Sequence, residues 1–265
     1  MKKVKVIALR TAGTNCDYET AHAFKTAGAE VDLVHINQLI RGEKELSAYY
    51  IMAIPGGFSY GDDIAAGKIL ANELKYRLRK PLENFVADGK LVIGICNGFQ
   101  VMVKAGLLPG FEGISDVQET TLYSNDSGKF ECRWVYMKHQ ANSNGKCVFT
   151  REIKDIIYLP IAHAEGKFTT AGEDILDKLE ANGQVVFKYV DAEGNKADYP
   201  WNPNGSDRNI AGICDSTGRI FGLMPHPERY LTRYNHPRWT REDLPEEGDG
   251  LAIFRNAVNY AREKL

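Results

Sequence analysis

The chain has 265 residues, 43% of them hydrophobic and 26% charged, with a formal net charge of −2. This composition supports a sizeable core, and the interspersed charges argue against the basic stripe or tail of a nucleic-acid protein. No apolar run approaches the ~18 residues of a membrane span, and five irregularly spaced cysteines suit free thiols in a reducing compartment, with the cytoplasm as the expected setting.

KVKVIALR (3–10) reads as a first strand and not a signal peptide, since Lys5 lies inside the apolar run and Arg10 directly after it. A helix is expected from about Asp17 to Ala27, with Thr14 and Asn15 offered as caps and Gly28 after its end. EVDLVHI (30–36) and YYIMAI (49–54) read as the next strands. PGGFSYGDD (55–63) ends the third strand. One long helix is expected beyond it, carrying Leu70, Leu74, Leu78 and Leu82 at four-residue spacing and ending near Gly89. LVIGI (91–95) is a strand, and a helix begins just past Cys96. Strands alternating with helices predict an α/β fold with a mostly parallel sheet covered on both faces. The working site of such a sheet lies at the carboxyl ends of its strands, where both Cys96 and the segment 55–63 fall.

The second half changes style. KFECRWVYMKH (129–139), KCVFT (146–150), IIYLPIAH (156–163), QVVFKYVD (184–191) and RNIAGICDSTGRIFGLMPH (208–226) read as strands joined by turns, with a hairpin turn at Asp215–Gly218. Segments 198–209 and 232–250 are loops by their Pro, Asn and Gly content. A closing helix places Leu251, Phe254, Val258 and Ala261 on one face. A single domain, 1–265, with an antiparallel extension is the simplest organisation.

Gly94-Ile95-Cys96-Asn97-Gly98 is a Gly-x-nucleophile-x-Gly pattern between strand and helix. Such an elbow needs glycines because neighbouring backbone comes too close for a Cβ. It places the thiol at a helix N-terminus, where the dipole and free N–H groups favour thiolate. Glycines and a cysteine also occur in plain buried β–α turns, so this pattern alone favours function only modestly. Six histidines could supply a base, and two occur as His-x-Glu: His163-Ala164-Glu165 and His226-Pro227-Glu228. Residues i and i+2 of an extended chain lie on one side, so each Glu could orient its own His. A surface histidine beside a solvated glutamate is the commoner meaning of such a pair. His22 is expected on a helix surface, and His139 and His236 in loops. The paired glycines of 56–57 could turn an N–H toward an oxyanion. P-loop, dinucleotide and metal motifs are missing; Cys16, Cys132, Cys147 and Cys214 read as structural thiols.

PGGFSYGD after one strand, GICNGFQ at the elbow and PHPE near the carboxyl end, in that order, resemble class I glutamine amidotransferases. AGTNCDYET, SNDSGKFECRW and PIAHAEGKF are similar to segments of the glutaminase subunits of phosphoribosylformylglycinamidine synthases. The resemblance runs from Lys3 to the last helix, departing at Ala12, where Pro is expected, and at Ala164, where Gly is expected. It implies a flavodoxin-like amidotransferase domain with Cys96 as nucleophile, His226 as general base and Glu228 as its orienting carboxylate. It also implies an oxyanion hole from the backbone N–H groups of Gly57 and Asn97, and glutamine contacts at Gln100, Phe58 and His163. The implied partners are a larger ATP-dependent synthetase subunit and a small bridging subunit. No cofactor is expected in this chain, ATP and Mg being used by the synthetase. A cysteine hydrolase or peptidase of another α/β family is the rival enzyme reading, and a non-catalytic regulatory subunit is the rival outside enzymes.

Overall fold

The computed structural model describes residues 3–140 and 146–265. Three short apolar runs form β1 (Lys5–Arg10), β3 (Ile51–Ile54) and β4 (Leu91–Ile95), and their successive residues are buried almost without alternation. That pattern belongs to strands covered on both faces, as parallel sheets are. β2 (Glu30–His35) is the partly exposed edge. Beyond β4 come β6 (Glu131–His139), β7 (Ile156–His163), β9 (Val185–Val190), β10 (Ile210–Cys214) and β11 (Ile220–Leu223). Among the described residues the main sheet has nine strands in the order β2-β1-β3-β4-β11-β10-β9-β6-β7. Strands β2 through β11 in that order run parallel, and β10, β9, β6 and β7 continue antiparallel. The expected α/β sheet with an antiparallel extension is therefore present. A separate antiparallel pair joins β5 (Thr120–Tyr123) to β8 (Lys167–Thr170), and the sequence patterns did not disclose it.

The connections include α1 (Asp17–Thr26), α2 (Ile36–Ile40), α3 (Lys68–Arg77), α4 (Arg79–Ala87), α5 (Asn97–Lys104), α6 (Glu173–Ala181) and α7 (Leu251–Lys264). The Phe24 and Phe254 rings meet edge-on at 5.0 Å, which locks α1 to α7. Leu251, Phe254, Val258 and Ala261 are all buried, as the spacing of the last helix predicts. No helix among the described residues is long and apolar enough to cross a membrane.

The single long helix expected after Asp63 is two. It breaks at Leu78, whose φ of −120° and ψ of 15° are not helical. Pro81 is the cause: it lacks an N–H for the Arg77 carbonyl, and its ring collides with that carbonyl in a continuous helix. Both halves still bury the leucine stripe. Segment 146–150 holds a short 3-10 turn at Val148–Thr150 instead of a strand. The residue before α1 is Cys16, with no side-chain cap. Thr14 instead accepts from the Thr11 N–H, and Asn15 accepts from the Cys16 thiol. Nor are His139 and His236 free loop residues. His139 ends β6, and His236, though in a loop, is buried among the rings of Trp134, Tyr158 and Tyr230.

Candidate active site

Cys96 follows β4 directly and precedes α5. Its φ of 52° lies in the left-handed region, a strain that non-glycine residues carry at functional turns. The flanking glycines are needed for the space they leave. A Cβ at Gly98 would lie 1.8 Å from the Ile54 carbonyl oxygen, and one at Gly94 would lie 2.2 Å from the Met102 sulfur. The elbow therefore forms because β3 and α5 close on it from both sides. Cys96 is 5% exposed, and its thiol faces the Ala162 carbonyl at 3.7 Å.

His226 arrives from the other end of the sequence, on the chain leaving β11. Its backbone N–H donates to the Pro160 carbonyl at 2.8 Å. The chain then enters a 3-10 turn at Pro227–Arg229, which brings the Glu228 carboxylate back over the ring. The His226 Nδ1–H donates to Glu228 Oε1 at 2.7 Å, both side chains being buried, and Nε2 has no hydrogen-bond partner among the described residues. Burial pulls the His226 pKa down, but the Glu228 carboxylate and the Cys96 and Cys16 sulfurs outweigh it and hold it well above the usual imidazole value. Such a group is set to take and hold a proton.

Gly57 lies in the turn beyond β3 at φ 140°. Its neighbours are pinned: Gly56 accepts from the N–H groups of Asn15 and Cys16, and the Phe58 N–H donates to Gly13. The N–H groups of Gly57 and Asn97 take no part in the hydrogen bonds of this corner. The Asn97 side chain sets them in register. Its Oδ1 accepts from the Ser59 N–H at 3.2 Å, and its Nδ2 donates to Asp62 at 3.0 Å and to Gln100 Oε1 at 2.9 Å. Burial raises the Asp62 carboxyl above its usual range.

The other expected contacts are spread around this corner. Gln100 is buried, and its Nε2 donates to the Glu165 backbone carbonyl at 2.6 Å. Phe58 is 45% exposed, with its ring 6.4 Å from that of Phe130. His163 ends β7 and is buried beside His226; burial and the His226 charge push its pKa down to about 3. Its partner is Asn125, not Glu165. Asn125 Nδ2 donates to the carbonyls of Lys129 and His163, so its Oδ1 must accept the His163 Nδ1–H at 3.2 Å. His163 is thus a neutral imidazole with a bare, buried Nε2.

Cys16 is not the merely structural thiol that its place in the sequence suggests. It is 1% exposed, and its sulfur accepts from Arg229 Nη2 at 3.1 Å while its thiol donates to Asn15. A Cβ at Gly56 would lie 2.9 Å from His226 Cε1, 3.3 Å from Cys16 Sγ and 3.5 Å from Cys96 Cβ. Cys16 therefore shares the corner with the other two side chains. The available signal was positional, since it lies past the carboxyl end of β1 at the start of a helix, as Cys96 lies past β4.

The CobB/CobQ-like glutamine amidotransferase domain matches residues 3–261. Phosphoribosylformylglycinamidine synthase subunit PurQ of Dehalococcoides mccartyi is 52% identical over 99% of this chain and 100% of its own length. PurQ of Archaeoglobus fulgidus is 47% identical over 100% and 99%. A chain in the structure of PurLQS from Thermotoga maritima superposes with a TM-score of 0.73 at 31% identity, covering 98% of this chain and 99% of that one. With the elbow and its histidine–carboxylate pair in place across this full-length match, the chain belongs to the glutamine amidotransferases, among the PurQ subunits of phosphoribosylformylglycinamidine synthase.

Proposed function

We propose that the chain is the glutaminase subunit of phosphoribosylformylglycinamidine synthase, with Cys96, His226 and Glu228 as its catalytic triad. The observation that carries the site assignment is the corner itself. A strained cysteine at a helix N-terminus lies beside a carboxylate-held imidazole, and the backbone N–H groups of Gly57, beyond β3, and Asn97, beyond β4, have no hydrogen-bond partner in this corner among the described residues.

The Cys96 sulfur attacks the side-chain amide carbon of glutamine, and the Gly57 and Asn97 N–H groups hold the oxyanion. His226 donates its proton to the departing nitrogen, so ammonia leaves and a γ-glutamyl thioester remains. His226 then takes a proton from water, whose oxygen attacks the thioester; the C–S bond breaks, glutamate is released, and His226 returns the proton to the Cys96 sulfur. Glu228 keeps the proton of Nδ1 in place and stabilises the imidazolium. Gln100, Phe58 and His163 surround the substrate. Ammonia protonated in bulk water is no nucleophile, so the reaction has a use only beside an acceptor. The partner is the larger ATP-dependent subunit that makes formylglycinamidine ribonucleotide from formylglycinamide ribonucleotide, with a small bridging subunit. ATP and Mg belong to that subunit, and this chain carries no cofactor of its own. Five unpaired cysteines suit a cytoplasmic setting.

The test is peptide mass spectrometry after incubation with a diazo-ketone analogue of glutamine, with Cys96→Ala alongside and glutamine as competitor. A single adduct on Cys96, suppressed by glutamine, is the expected result. An adduct on Cys16 with Cys96 untouched, in the free chain and in the assembled complex, would refute the assignment.

A further inference from the structure

The acyl-transfer steps give neither Cys16 nor Arg229 a task, yet both stand against the residues that carry them. Donor atoms of Cys16, His226 and Glu228 all lie within 4.8 Å of one another. Glu228 gives Oε1 to the His226 Nδ1–H, while its Oε2 is buried and has no hydrogen-bond partner among the described residues. Arg229, half-buried, is the next residue of the chain. A guanidinium beside a bare carboxylate oxygen commonly pairs with it. Here, among the described residues, Arg229 Nη2 donates instead to the Cys16 sulfur at 3.1 Å, and Glu228 is paired with His226 alone. The 3-10 turn at Pro227–Arg229 explains the divergence, since successive side chains on such a turn point about 120° apart. Cys16 is fixed to receive the guanidinium. Its backbone N–H donates to the Gly56 carbonyl, its own carbonyl accepts from Thr20 Oγ1 at 2.7 Å, and its thiol hydrogen donates to Asn15 Oδ1 at 3.2 Å. The sulfur is left as an acceptor. Burial pulls the Arg229 pKa down, but the Cys16 sulfur and the Glu228 carboxylate outweigh it. Glu228 thus attracts a guanidinium that it does not pair with.

We propose that Cys16 is a positioning residue of the glutaminase site: its sulfur holds Arg229 away from Glu228, so that the whole charge of the carboxylate serves His226. Glu228 stabilises the imidazolium that forms during proton transfer. A guanidinium on Oε2 would cancel that charge, in a buried corner where charge counts most, and would leave His226 a weaker base. Cys16 touches no reacting atom in this account and acts only through Arg229. The inference rests on the glutaminase reading, because its effect is on that reaction.

The test measures glutamine hydrolysis by the assembled complex, with the parent chain, Cys16→Ala, Cys16→Ser and the double variant Cys16→Ala/Arg229→Met. Cys16→Ala removes the acceptor, and kcat should fall at least about tenfold with KM unchanged, a part of the ~10^4-fold that losing the carboxylate behind a catalytic histidine costs. Cys16→Ser keeps an acceptor and should keep most of the rate. The double variant removes the released guanidinium and should regain most of what Cys16→Ala lost. A cysteine with a merely structural role predicts the opposite, a second loss added to the first. Should Cys16→Ala fail to fold, Cys16→Val takes its place, alone and with Arg229→Met, being close to cysteine in volume and without an acceptor. An undiminished kcat in the variant without the sulfur, as when Arg229 turns to Glu19 of α1, which also attracts it, overturns the proposal. So does a loss that Arg229→Met leaves unrepaired. In both cases the parent complex still hydrolyses glutamine, whereas a parent complex inert toward glutamine overturns the glutaminase reading and this inference with it.

Discussion

In segment 226–228 the carboxylate lies 2.7 Å from its imidazole, whereas in 163–165 the imidazole turns to Asn125 and Glu165 offers its backbone carbonyl to Gln100. Both segments read His-x-Glu and both histidines are buried, yet one is charged readily and the other is held neutral. The difference lies in the path of the chain just beyond each histidine. After His226 it folds into a 3-10 turn that returns Glu228 to the ring. After His163 it leaves β7, and Gly166 passes so close to the ring that a Cβ there would lie 2.3 Å from it. An i, i+2 pair on paper is thus made or unmade by the local turn: Glu228 holds its own imidazole, and Glu165 does not.

The largest effect that would test this contrast is His226→Ala, expected to lower glutamine hydrolysis about 10^6-fold. His163→Ala should stay below the ~10^2-fold that marks removal of an acid–base group. Equal losses in steady-state assays of the complex would erase the distinction. Glu228→Gln should cost about 10^4-fold in kcat, the scale for losing the carboxylate behind a catalytic histidine. Glu165→Gln should change little, because its backbone and not its carboxylate is engaged. A kcat loss shared by both glutamates would return Glu165 to the triad. Asn125→Ala should destabilise the chain by about 3 kcal/mol in denaturant unfolding, since it leaves the Lys129 and His163 carbonyls and the Gly166 N–H without their partner. A loss near zero would mean that water takes over those bonds.

The smallest effect sharpens the comparison through its sign. His163 has a pKa of about 3 in the folded chain against 6.5 ordinarily. The unfolded chain therefore binds more protons, and this histidine's contribution is present above pH 6.5 and lost as pH falls toward about 3. His226 is raised, so its contribution is present below 6.5 and lost as pH rises through its folded value. Stability profiles of His163→Gln should flatten on the acid side, and those of His226→Gln above neutrality. Matching profiles would mean that the two imidazoles share one environment.

Much of this was legible in the residues. The parallel strands showed because runs buried on both faces are apolar throughout, and the elbow showed as Gly-x-Cys-x-Gly between strand and helix, a pattern that a plain buried turn can share. The four-residue leucine spacing marked helix correctly, but its unbroken run hid the break that Pro81 imposes. β5 and β8 escaped notice because each has four residues and they pair across more than forty positions. Segment 146–150 misled because β-branched and aromatic residues fit a buried 3-10 turn as well as a strand.

By itself, the sequence determined the alternation of strand and helix, the place of Cys96 at a strand end and the two candidate histidine pairs. These arise from local spacing, backbone sterics and the periodicity of burial, all written within a few consecutive residues. The choice of His226 over His163 came from the resemblance and not from spacing, and only the tertiary structure decided that Asn125 sets the tautomer of His163 and that Cys16 stands beside His226. Those are contacts between residues far apart in the chain. They exist because β1, β3, β4 and β11 lie side by side in one sheet, with their carboxyl ends opening on a single corner.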